Sequence, residues 1–146
     1  MQKHELKHKS EVHVAAILLF FVYLVVIAYL LFFIEIRDAT YHNINLVPFK
    51  TIRMLFNYDF SSWYRIVNLY GNIALLAPFG LLLPLITFRR LSVWKIFLAA
   101  LLFSILIEAA QYLTAYGEAD IDDVILNVTG ALLGYAIYRF LGAIFK

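Results

Sequence analysis

The sequence predicts an all-α integral membrane protein: a four-helix bundle with a short interfacial helix in the first extracytoplasmic loop. Three observations lead there. Apolar residues fill 64% of 146 positions, against roughly 45–50% in ordinary soluble domains. Four separate stretches are apolar for about the 20 residues that a helix needs to cross a bilayer. Thirteen phenylalanines, ten tyrosines and two tryptophans suit lipid-facing surface and interfacial belts. The net charge of +2 is too weak to indicate nucleic acid as a partner. The absence of cysteine excludes disulfides, thiolate metal sites and cysteine nucleophiles.

The first span follows from 23 consecutive residues without formal charge, Val12 to Ile34. It is too long for a signal-peptide core and no small-x-small site follows it, so a retained anchor is expected. In the connection that follows, Phe49, Ile52, Leu55 and Phe56 recur at helical spacing, Lys50, Arg53 and Asn57 fall on the other side, and Pro48 suits a first helical position. This predicts an interfacial helix over residues 48–57, or else a simple lid on the bundle. The second span is expected from Ile66 to Phe88, the third from Ile96 to Tyr116 and the fourth from Val124 to Phe145, all within one transmembrane domain covering 1–146.

Four crossings put both termini and the second connection on one side. Lys3, Lys7, Lys9, Arg89, Arg90, Lys95, Arg139 and Lys146 fall there, whereas Arg37, Lys50, Arg53 and Arg65 fall on the other. The positive-inside rule therefore predicts a multi-pass protein with both termini in the cytoplasm.

Polar residues inside the spans carry the functional information. Asn68 and Asn72 are four apart on span two. Ser104, Glu108 and Gln111 form a stripe on span three, and Asp123, Asn127, Gly130 and Gly134 form another on span four. Spans two and four begin on the side where span three ends, so the stripes are expected to converge near one membrane face. Four acids, Glu118, Asp120, Asp122 and Asp123, lie just above them. A carboxylate at Glu108, roughly 10 Å below the end of its helix, costs at least about 2–3 kcal/mol on insertion scales, so it should face the bundle, and function is its default reading. For Asn68, Ser104 and Gln111 the plainer reading is interhelical hydrogen bonding at about 0.6 kcal/mol each. Asp122 or Asp123 is alternatively a helix cap. The glycines allow close approach of another helix, within the chain or between chains. His4, His8, His13 and His42 form no metal constellation and are expected at the surface.

These residues together resemble the VanZ-like family of small bacterial membrane proteins. The resemblance runs from about Asn45 to Tyr135 and is carried by Asn45-Leu46-Val47-Pro48-Phe49, Asn72 with Pro78-Phe79-Gly80, then Ser104, Glu108 and Gln111, and finally Asp120-Ile121-Asp122-Asp123 with Asn127 and Gly130. It implies a role at a bacterial cell envelope and, for the founding member, lowered susceptibility to lipid-tailed glycopeptide antibiotics such as teicoplanin. It supplies no reaction.

The expected activity is accordingly binding rather than catalysis, with no cofactor. An outward cavity with Asn45, Asn68, Asn72, Ser104, Glu108, Gln111, Asp120, Asp122, Asp123 and Asn127 as ligand-binding residues suits an amphiphile: membrane lipid, a lipid-linked cell-wall precursor or a lipoglycopeptide antibiotic. The alternative is a membrane enzyme acting on a lipid phosphate or diphosphate, with Asp120, Asp122 and Asp123 holding a divalent cation such as Mg²⁺. No basic pair lies near those acids and no serine neighbours a histidine, which weighs against that chemistry. A transporter using Glu108 as a proton-coupled carboxylate would lack the inverted repeat such proteins carry.

Overall fold

The computed structural model describes residues 2–33, 44–87, 91–113 and 119–144. In chain order they form α1 (Gln2–Phe33), β1 (Ile44–Asn45), α2 (Lys50–Asn57), α3 (Ser62–Ile86), α4 (Val93–Leu113), β2 (Ala119–Asp120) and α5 (Ile121–Ile144). Four helices, Ser10–Leu30 within α1 together with α3, α4 and α5, are long and apolar enough to cross a membrane. The expected spans therefore stand, with shifted ends. Helix α3 begins four residues before Ile66 because the Ser61 hydroxyl caps it, accepting from the Tyr64 N–H at 3.2 Å. Helix α5 begins at Ile121, which draws Asp122 and Asp123 into its first turn. The expected end points Ile34, Phe88, Tyr116 and Phe145 lie outside the described residues, as do Glu118 and His42.

Helices α3 and α5 make the most extensive contact, α4 packs on α5, and α1 lies outermost against α3. The small residues explain the first pairing. A methyl group added at Gly130 would stand 1.9 Å from the Ile73 carbonyl oxygen, one at Gly134 1.9 Å from that of Ala77, and one at Gly80 1.8 Å from that of Ala131. Only hydrogen at these three positions lets the backbones approach so closely, so the glycine face of the last span is occupied within the chain. Leu76, Phe79, Ala100, Ile107, Val124, Val128 and Ala131 fill the core between α3, α4 and α5, with the Phe79 and Phe103 rings stacked at 5.1 Å.

Helix α1 contributes His13, Ala16, Phe20, Tyr23 and Ile27, spaced three and four apart along one seam. The Tyr23 hydroxyl donates to the Leu75 carbonyl at 2.9 Å and the His13 Nδ1 to the Leu85 carbonyl at 3.1 Å. His13 is thus half-buried against α3 and not the surface residue expected; the last turn of α3 offers it a carbonyl acceptor. His4 and His8 have no described side chains. Large apolar side chains such as Leu18, Phe21, Leu102 and Phe140 are exposed, as a lipid-facing surface requires.

Pro48 does not open α2. Helix α2 starts at Lys50, after Phe49 turns through a left-handed backbone conformation at φ 62°. Such a conformation is costly for a side chain as large as phenylalanine, and its compensation comes from α5.

Candidate functional site

The described polar residues gather at the end of the bundle where α3 and α5 begin and α4 ends. Ile44–Asn45 pairs with Ala119–Asp120 as two parallel residues of sheet, Ile44 opposite Ala119 and Asn45 opposite Asp120. This small pairing brings the first connection onto the start of α5.

Each of the three aspartates then meets a different set of donors. Asp120 precedes α5 and caps it, its Oδ1 accepting from the Asp122 N–H at 2.8 Å. The same carboxylate accepts from Asn45 Nδ2 at 3.0 Å and from the Thr51 hydroxyl. Asp122 lies in the first turn of α5, yet its carboxylate serves α2: Oδ1 accepts from the Phe49 N–H and Oδ2 from the Ile52 N–H at 3.1 Å. Phe49 has no side-chain oxygen to cap its own helix, and a carboxylate supplied from another helix accepts from two of the N–H groups at this end. It stands between the positive ends of two helix dipoles, where negative charge is favoured. Asp123 faces α3 and accepts from Asn72 Nδ2.

Deeper in the bundle, Glu108 is 6% exposed and its Oε2 accepts from the Asp120 N–H at 3.1 Å. It sits about 8 Å below the last residue of α4 by helical rise and does not face lipid. One turn further along each helix, Asn127 Nδ2 donates to the Ser104 Oγ at 3.0 Å. Both residues are fully buried. The Asn127 Oδ1 has no hydrogen-bond partner, an unusual state for a buried polar atom.

Of the expected site residues, Asn45, Asn72, Ser104, Glu108, Asp120, Asp122, Asp123 and Asn127 belong to this hydrogen-bonded layer. Asn68 does not: its amide donates to the Tyr64 carbonyl of its own helix at 2.8 Å, because a side chain near a helix start finds that carbonyl one turn back. Gln111 is half-buried near the end of α4. The sequence reading omitted Thr51, although a helical wheel centred on buried Leu55 puts Thr51 beside it on the inner face. Asp120, Asp122 and Asp123 hold separate donors, and among the described residues no group of three or more His, Asp or Glu has the placement to hold a metal ion.

A family model described as VanZ/LLP1 matches residues 20–142. Among curated proteins, the chain is 33% identical over 104 residues to Protein VanZ of Enterococcus faecium, a match covering 64% of this chain and 64% of that protein. The chain thus spans less than two thirds of the relative's length. No solved structure matches it.

Proposed function

The chain belongs to the VanZ/LLP1 family, and from that premise we propose that it is a non-catalytic envelope protein that binds an amphiphile at its outer face and lowers susceptibility to lipoglycopeptides such as teicoplanin. The observation that supports this reading is the buried polar layer itself. It joins α3, α4, α5 and the first connection at one end of an apolar bundle, and it includes a buried amide oxygen with no partner inside the protein. Apolar walls with a few hydrogen-bonding groups suit a molecule that has a polar head and an acyl tail. Exposed Trp63, Tyr58, Tyr64 and Tyr70 surround this end, in keeping with an interfacial belt. With eight basic residues on the other side, the polar layer faces away from the cytoplasm and both termini face into it. Helix α2 lies at the interface above the layer, its Leu55 turned inward and 3% exposed.

Teicoplanin susceptibility and binding of labelled teicoplanin, measured in cells with and without the chain, test the proposal. Glu108→Gln and Asp123→Asn at matched expression refine it. Lower susceptibility and altered binding that the variants abolish, with folding retained, are the expected results. Unchanged susceptibility and unchanged binding on expression of the wild type would overturn it.

A further inference from the structure

The first turn of α2 breaks a local rule. Lys50 and Arg53 both lie at its positive end and no acidic residue accompanies them in that turn, although cations are disfavoured at a helix N-terminus. They stand one turn apart on the side away from buried Leu55, so they also repel each other. Both are exposed. Arg65 pairs with Asp59 at 4.0 Å, and among the described residues neither Lys50 nor Arg53 has a carboxylate within such reach.

Apolar side chains close to the two cations in sequence are exposed as well. Leu46, Val47, Phe49 and Phe56 are 73%, 59%, 49% and 64% exposed. A surface that combines unpaired cations with uncovered aliphatic and aromatic side chains suits the boundary between headgroups and acyl chains. Helix α2 is fastened through Asp122 to the first turn of α5, a helix of membrane-spanning length, which sets α2 at that boundary. The Phe49 and Ile52 N–H groups are already given to Asp122, so an anion on Lys50 and Arg53 is held by the side chains.

We propose that Lys50 and Arg53 hold the phosphate of an anionic membrane lipid, with Phe49 and Phe56 against the first part of its acyl chains. The Arg53 guanidinium donates two parallel hydrogen bonds to phosphate oxygens and Lys50 adds a point charge. The bound phosphate relieves the mutual repulsion of the two cations. This rests on the reading above for the placement of α2 at the membrane face, and it names the headgroup chemistry taken there.

The test uses the full chain reconstituted in equimolar phosphatidylglycerol and phosphatidylcholine, with retained lipid counted by native mass spectrometry. Phosphatidylglycerol is expected to be enriched on the wild type. At the usual worth of one basic side chain near an anionic surface, each of Lys50→Gln and Arg53→Gln lowers its affinity about 5-fold and the double variant about 30-fold. The unfolding temperature does not fall, since both side chains are exposed and unpaired. Equal retention of the two lipids, wild-type retention by the double variant, or displacement of the lipid by an equal concentration of inorganic phosphate would each overturn the proposal. No antibiotic enters the assay, so a chain that leaves teicoplanin susceptibility unchanged can still pass it.

Discussion

Replacing Asp122 by asparagine tests whether one carboxylate fastens α2 to the bundle. Asp122 is fully buried, and its two oxygens accept from the Phe49 and Ile52 N–H groups. Asparagine keeps the volume and one acceptor but turns an NH₂ toward the second N–H, so two donors face each other. A hydrogen bond to a charged group contributes about 1.5–3 kcal/mol, and an unmet buried donor costs about 1–3 kcal/mol. Taking a loss of about 2–3 kcal/mol, the undocked population of α2 rises about 30- to 150-fold. The chain has no cysteine, so Leu55→Cys introduces a single thiol at a position 3% exposed in the docked helix. Its labelling by a membrane-impermeant maleimide should accelerate by that factor when Asp122→Asn is added. Asp123→Asn in the same background should leave the rate unchanged, because Asp123 faces Asn72 on α3. If the thiol reacts equally fast with Asp122 present and replaced, the clamp is not what holds α2.

Gly130→Ala and Gly134→Ala should each lower the unfolding temperature in detergent by the equivalent of about 1–3 kcal/mol, because each methyl would lie 1.9 Å from a carbonyl oxygen of α3; Gly142→Ala, with nothing within 4 Å, should be neutral. Glu108→Gln retains an acceptor for the Asp120 N–H and should change stability by less than about 1 kcal/mol. Glu108→Leu strands that buried N–H and should cost about 1–3 kcal/mol in the same denaturation assay. A double-mutant cycle of Ser104→Ala with Asn127→Leu should give a coupling of about 0.6 kcal/mol, and a value near zero would show that the bond between them adds nothing to stability.

The helical parts of the fold were legible because lipid imposes one rule on every residue. A span must be about 20 apolar residues with its backbone bonded internally, and a polar residue inside it must turn toward other protein. Glu108, Ser104 and Asn127 obey that rule, so spacing and the alternation of four crossings placed them at one end of the bundle. Gly130 and Gly134 were legible as a contact face, though only packing against Ile73 and Ala77 decided which helix fills it. The first connection was not legible in the same way. Its position depends on the parallel pairing of Ile44–Asn45 with Ala119–Asp120, two residues on each side, too short for periodicity to register. The start of α2 was misplaced for a related reason. Pro48 and the apolar repeat favoured a helix from residue 48, whereas the nearest cap is a carboxylate from α5, more than seventy positions away in sequence.

That distant cap changes what the acidic run means. Four acids within six residues look like one pool of negative charge, but at the start of a helix successive side chains diverge by about 100°. Asp122 and Asp123 therefore face different neighbours, the first connection and α3, while Asp120 remains at the cap. Their oxygens are engaged by Asn45, Thr51, Asn72 and three backbone N–H groups. Asp120 and Asp122 thus fasten the first connection to the bundle, while Asp123 ties α5 to α3. Beneath this layer the buried Asn127 oxygen has no hydrogen-bond partner, and above it the cations of α2 are exposed. Substitutions that loosen the fastening and substitutions that remove a ligand contact will both disturb function. The Leu55→Cys labelling rate separates them, since only the first kind uncovers that position.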